Sequence, residues 1–118
     1  MNIYFDYRTP TEVDINEAAI NNAIRNIILT RVGSVPGKPE FGSRVLDHVF
    51  DLMDGKSTED LLKNVIIHAL LKWEPRINIL NIVVTQLPEY NRVIIDVYYE
   101  YVMKGKNIGS KASIVISN

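Results

Sequence analysis

The sequence predicts an α+β fold, with helices packed on one face of a small antiparallel sheet formed by the C-terminal half. Three observations carry this expectation. Apolar residues recur at helical spacing up to Trp73, the period changes to two from Ile77 onward, and the change falls on Glu74-Pro75-Arg76, where proline ends a helix. Helices first and strands last is the order of an α+β chain.

Each element follows from local chemistry. Residues 1–13 read as an irregular arm in which Ile3, Phe5 and Tyr7 alternate as a short edge strand, stopped by Pro10. Asp14 and Glu17 stand three apart, as an N-cap and its returning carboxylate do, and open a helix to about Leu29. Ile20, Ala23, Ile24, Ile27 and Ile28 form its apolar stripe. Gly33, Pro36, Gly37, Pro39 and Gly42 make residues 30–43 a loop, with Val35 and Phe41 as anchors. Ser43 caps a short helix whose Val45, Leu46, Val49 and Phe50 point one way, ended by Asp54-Gly55. Ser57 or Thr58 caps the next, with Glu59 and Asp60 in its positive first turn. Leu62, Val65, Ile66, Ala69, Leu70 and Trp73 keep the helical period.

Beyond the turn, Leu80, Ile82 and Val84 are expected to face the core. Pro88 to Asn91 is a turn, and Val93, Ile95, Val97, Tyr99 and Tyr101 alternate along the partner strand. A loop with Gly105 and Gly109 leads to a short third strand at Ala112, Ile114 and Ile116. The whole reads as one domain: an arm over 1–13, a helical part over 14–75 and a β part over 76–118.

Composition narrows the function. Of 118 residues, 47% are apolar and 23% charged, the formal charge is −1, and there is no cysteine. A near-neutral chain lacks the electrostatic footprint of a nucleic-acid binder. Without cysteine there is no disulfide, thiolate metal site or Cys nucleophile. No stretch reaches the ~18–20 apolar residues of a membrane span. The first ten residues lack the basic start and apolar run of a signal peptide.

The residues offer little catalytic chemistry. His48, Asp51 and Asp54 share a spacing but fall short of the three or four firm ligands zinc requires, and read as a solvated face. His68 lies beside an apolar stripe, as a boundary histidine does. No G-x-S-x-G, P-loop or dinucleotide fingerprint occurs. Glu40, Asp47, Asp51 and Glu74 are the carboxylates a small glycosidase would draw on. Arg76 next to Glu74 favours its ionised form over general-acid work. No catalytic, cofactor or metal site is expected. Lys104, Lys106 and Lys111 give the tail a local charge of +3, which protects an open edge or meets an acidic partner. Tyr98, Tyr99 and Tyr101 put rings on both faces of one strand.

Two motifs sit in a fixed order. Pro39-Glu40-Phe41-Gly42 precedes the short helix, and Trp73-Glu74-Pro75-Arg76-Ile77 separates a helix from a hairpin, with Ile27-Ile28-Leu29-Thr30-Arg31-Val32-Gly33 upstream. From Asn22 to Tyr101 this order resembles the small baseplate wedge protein family of contractile-tailed phages, shared with type VI secretion baseplates. The resemblance implies a non-enzymatic subunit present in several copies in the virion tail baseplate and assembled in the host cytoplasm. Its sheet would accept strand arms from the tail sheath subunit, and its Glu-Pro-Arg turn would contact other wedge subunits. No nucleic acid, membrane or cofactor is implied. On this reading Pro39, Glu40, Phe41, Gly42, Glu74, Pro75, Arg76, Tyr98, Glu100, Lys104, Lys106, Lys111, Ile114 and Ile116 are the partner-binding residues. Glu74 and Arg76 either pair internally or face a partner. A small lysozyme-like peptidoglycan hydrolase and a regulatory protein-binding module of the same fold are the alternatives.

Overall fold

The structure, a computed structural model, describes residues 12–50 and 56–117. Three helices, α1 (Glu12–Leu29), α2 (Val45–His48) and α3 (Lys56–Trp73), precede three strands, β1 (Ile77–Leu87), β2 (Arg92–Met103) and β3 (Lys106–Ser117). The sheet is antiparallel in the order β1-β2-β3, so β2 is central and β1 and β3 are its rims. The α+β expectation holds.

Strand alternation sends one face of the sheet inward. Ile82, Val84, Val93, Ile95, Val97, Tyr99, Tyr101, Ala112, Ile114 and Ile116 are all buried there. Above them lie Ile20, Ile24, Ile27 and Ile28 of α1 and Leu62, Ile66, Ala69 and Leu70 of α3, with α1 over β3 and α3 over β1. Val45 and Val49 close the core at α2. None of the described helices is long and apolar enough to cross a membrane.

The helix starts differ from expectation. α1 begins at Glu12, ahead of Asp14, and α3 begins at Lys56, so Thr58 is buried within its first turn instead of capping it. At α2 the preceding Arg44 occupies the cap position without a side-chain bond. Ser43 still contributes, since the Val45 N–H donates to its Oγ at 3.3 Å. The arm at Ile3–Tyr7 and the Asp54-Gly55 stop lie outside the described residues.

The sheet brings two corrections. A bulge between Ile79 and Asn81 inserts Leu80, which is 57% exposed, while Ile79 packs against the core in its place. A bulge turns side chains over by one residue, so the period-two reading fails there. β3 is also far longer than its apolar end suggested. Its pairing with β2 is unbroken from Met103↔Lys106 to Arg92↔Ser117, so Gly109 is a strand residue and the loop is only Lys104-Gly105. Both loop residues have positive φ, 51° and 77°, the backbone of a two-residue type I′ turn.

Candidate functional site

The turn after α3 is the most tightly specified polar feature of the chain. The Glu74 N–H closes the last helical turn on Leu70 O at 2.9 Å, and Pro75, lacking an N–H, ends the helix. Strand pairing starts at once with Ile77↔Tyr101. Within this corner the Glu74 side chain is buried, and Arg76 clasps it. Arg76 Nε donates to both carboxylate oxygens, at 3.1 and 2.9 Å, and Nη2 adds a further bond to Oε1. The Arg76 N–H contributes a longer one at 3.4 Å.

The pair is asymmetric. Glu74 is 4% exposed and the Arg76 side chain 51%. The hydrogen bond to Glu74, and then its charge, push the Arg76 pKa up, while burial opposes them. The corner therefore shows solvent a fixed guanidinium with its acid behind it. Among the described residues Glu74 is that group's only hydrogen-bond partner, leaving the far edge for a further acceptor.

The Pro39–Gly42 loop is held beside this corner by other residues. Gly42 has φ 113°, and a Cβ there would overlap the Thr30 carbonyl oxygen and lie 3.0 Å from its carbon. That close approach lets Ser43 N–H reach Thr30 O at 2.9 Å and Ser43 Oγ reach Ile28 O at 2.9 Å. Phe41 packs edge-on against Trp73, with centroids 5.1 Å apart. Glu40 accepts from Lys72 Nζ at 3.2 Å. So Phe41 and Glu40 tie the loop to the end of α3, while Glu74 and Arg76 pair with each other within the turn.

The sheet rims are the third feature. Tyr98 and Glu100 belong to the central strand, so they offer side chains on the outer face and no rim backbone. Lys111 Nζ stands 5.8 Å from the Tyr98 ring centre, and Glu100 accepts from Asn78 Nδ2 at 3.1 Å. Ile114 and Ile116 are 1% and 6% exposed, so their side chains belong to the core and only their backbone lies along the β3 rim. Lys104 lies in the β2–β3 turn and Lys106 opens β3. On the outer face Val83, Tyr98, Val102 and Val115 are exposed.

Among the described residues, the acids a hydrolase would draw on are engaged in pairs. Glu74 is engaged on both oxygens, and Glu40 and Asp47 pair with Lys72 and with Arg31 and Arg44. His68 is exposed on α3, and Asp51 and Asp54 lie outside the described residues. Among the described residues no group of acids and histidines is placed to hold a metal.

The sequence profile described as "Baseplate wedge protein gp25" matches residues 15–106, most of the chain, with the Glu74-Pro75-Arg76 corner and the Pro39–Gly42 loop inside the match and nearly all of β3 beyond it. The chain belongs to the gp25 baseplate wedge family. The gp25 baseplate wedge protein of Enterobacteria phage T4 is 33% identical over 86 residues, which cover 73% of this chain. The chain matches only 63% of the T4 protein's length. Among solved structures, a Geobacter sulfurreducens protein carrying a provisional tail-lysozyme label superposes with a TM-score of 0.71 at 27% identity, over 87% of this chain and 93% of that one. A chain of the post-contraction R2 pyocin baseplate superposes at 0.53 and 20% identity, over 82% of each, and attests the shared fold. The family places this chain among the structural baseplate proteins of contractile tails.

Proposed function

We propose that this wedge-family chain is a non-catalytic assembly subunit, present in several copies per baseplate, with two docking features. The rim of its sheet is completed by strand arms of the first ring of tail sheath, and the Glu74-Pro75-Arg76 corner contacts neighbouring wedge subunits. Assembly would take place in the host cytoplasm, before the particle matures.

The observation that carries the reading is the β3 rim. It runs for twelve residues without a bulge or proline, bears Lys106 and Lys111, and has no acid of its own. A strand edge offers unpaired N–H and C=O groups, and strand addition satisfies them. The lysines favour an acidic arm and disfavour self-pairing. At the corner, Glu74 holds Arg76 in a single orientation, so a partner carboxylate meets a guanidinium already ordered.

The label on the Geobacter relative favours the hydrolase as a second reading. Against it stands Glu74, whose acceptor sites are filled by Arg76. A turbidity assay on peptidoglycan separates the two. The purified chain should leave turbidity unchanged, and clearing that Glu40→Gln abolishes would establish the enzyme.

Charge reversal is the appropriate test of the rim, because removing residues 111–118 would strip Ala112, Ile114 and Ile116 from the core. Lys106→Glu with Lys111→Glu should give folded protein and complete baseplates that fail to nucleate sheath. Normal sheath growth would refute docking on β3. Arg76→Ala should leave the monomer folded and block wedge assembly, and normal assembly would remove the corner contact.

A further inference from the structure

We propose that the cleft between the Val32–Arg44 loop and α3 is a docking pocket for an acidic segment of a neighbouring polypeptide. An apolar side chain would rest on the floor and the adjoining carboxylate on the rim. The proposal rests on the reading that this side of the chain faces another wedge subunit, and adds to it the site and chemistry of the contact.

The cleft has a volume of about 460 Å³, within the range of pockets that take a small ligand or a pair of side chains. Its floor is Val65, Ala69 and Trp73, three positions on one stripe of α3. Its rim carries Arg44, His68 and Lys72 against a single carboxylate, Glu40. An apolar floor with a mainly cationic rim selects an apolar residue beside an acidic one. It disfavours a basic segment, and a free inorganic anion would leave the floor unused.

The rim groups are available. Arg44 meets Asp47 at 3.8 Å, and that carboxylate is shared with Arg31 at 3.7 Å. Lys72 and Glu40 meet at 3.2 Å, but both are well exposed, 48% and 76%, so solvent already weakens the pair. The side chains of Asn64 and His68, one turn apart on α3, line the cleft with no hydrogen-bond partner among the described residues.

The walls are also set in advance. Ser43 is tied to Ile28 and Thr30, and Phe41 is seated on Trp73. A segment entering the cleft has little loop to order, which favours binding.

The test uses the full chain and two blocked dipeptides, N-acetyl-Leu-Glu-amide and N-acetyl-Leu-Lys-amide. The NMR signals of the Trp73 indole N–H, the Asn64 side-chain amide and His68 report on the cleft. The acidic dipeptide should shift all three saturably with a low-millimolar Kd, and the lysine dipeptide should bind about tenfold more weakly. Arg44→Glu should cost the acidic probe about tenfold. Asn64→Trp, which puts an indole into the cleft from an exposed position, should abolish the Trp73 and His68 shifts and block wedge assembly. Absent shifts, or equal affinity for the two dipeptides, would overturn the proposal. So would normal assembly of the Asn64→Trp chain. If Arg76→Ala still blocks assembly in that case, the wedge contact stands and only the cleft falls. If both variants assemble normally, the reading beneath it falls as well.

Discussion

Gly42→Ala tests whether the loop is held by the close approach of Gly42 to Thr30. Two costs add. The backbone at φ 113° lies where an L side chain is strained, worth about 1–3 kcal/mol. The new methyl also overlaps the Thr30 carbonyl oxygen and sits 3.0 and 3.2 Å from its carbon and Cγ2. These are backbone and β-branched atoms at the end of α1, with little room to give. Relief requires the strands of the loop to part, which breaks the 2.9 Å bond from Ser43 N–H to Thr30 O and weakens the one from Ser43 Oγ to Ile28 O. Each such bond is worth about 1 kcal/mol.

The sum is about 2–5 kcal/mol, in the range of special backbone positions. For a domain of this size that corresponds to a fall in Tm of about 10–20 °C. Urea unfolding at neutral pH reads the loss directly as a lower midpoint with an unchanged slope. Gly37→Ala is the control. Its φ of 81° is also positive, but a Cβ there meets nothing within 4 Å, so only the backbone cost of about 1 kcal/mol remains. If Gly42→Ala unfolds within about 1 kcal/mol of Gly37→Ala, the close approach does not anchor the loop.

Glu74→Gln should cost about 1–3 kcal/mol in chemical denaturation, because the charge-assisted fork of Arg76 becomes a weaker neutral contact in a buried place; an unchanged midpoint would show that the pair contributes nothing to the corner. Tyr99→Phe removes the 2.6 Å bond to Asn21 Oδ1 and should lower stability by about 1 kcal/mol. Burial pushes the Tyr99 phenol up from its ordinary 10.0. Stability held by this neutral phenol is full below pH 10 and is lost as pH climbs toward the raised value, since the unfolded phenol ionises first. The wild type should therefore lose stability more steeply above pH 10 than Tyr99→Phe, and parallel profiles would contradict the assignment.

Much of this fold is legible in the residue order, and the parts that are not have identifiable causes. Ile20, Ile24, Ile27 and Ile28, like Leu62, Ile66 and Leu70, declare buried helix faces because spacing alone fixes which side is apolar. Glu74-Pro75 declares a helix end because proline lacks the N–H. β1 is ambiguous by contrast. Ile77 and Ile79 support one register and Ile82 and Val84 the other, and only pairing with β2 shows that a bulge at Leu80 serves both. The first half of β3, Lys106 to Lys111, has one large apolar residue, Ile108, so no alternation marks it. It becomes strand because the Lys104-Gly105 turn sets its register against β2. Within the site, the Glu74–Arg76 pair is visible two residues apart, whereas Arg44, His68 and Glu40 come together from three segments that local pattern cannot join.

The distribution of rigidity bears on how such a subunit would work. Glu74 is buried behind the half-exposed Arg76, Gly42 admits no side chain, and the core runs unbroken from α1 across the sheet. Groups that meet partners need the opposite property, an unsatisfied valence. Among the described residues, such valences lie at the borders: the backbone of β3, the outward edge of Arg76, and the amide and imidazole of Asn64 and His68. Each is attached to a frame that cannot relax to satisfy it internally, since β3 is pinned by β2 along its full length and Arg76 by a buried acid. A frame of this kind loses little entropy when a partner arrives, so even weak contacts at several borders add through their common scaffold. The Lys106→Glu/Lys111→Glu chain should therefore still enter a reconstituted baseplate through its Arg76 corner and fail only at sheath docking, whereas the Arg76→Ala chain should fail at entry. If the lysine reversal blocks entry as well, the two borders are not separate docking features carried on one rigid frame.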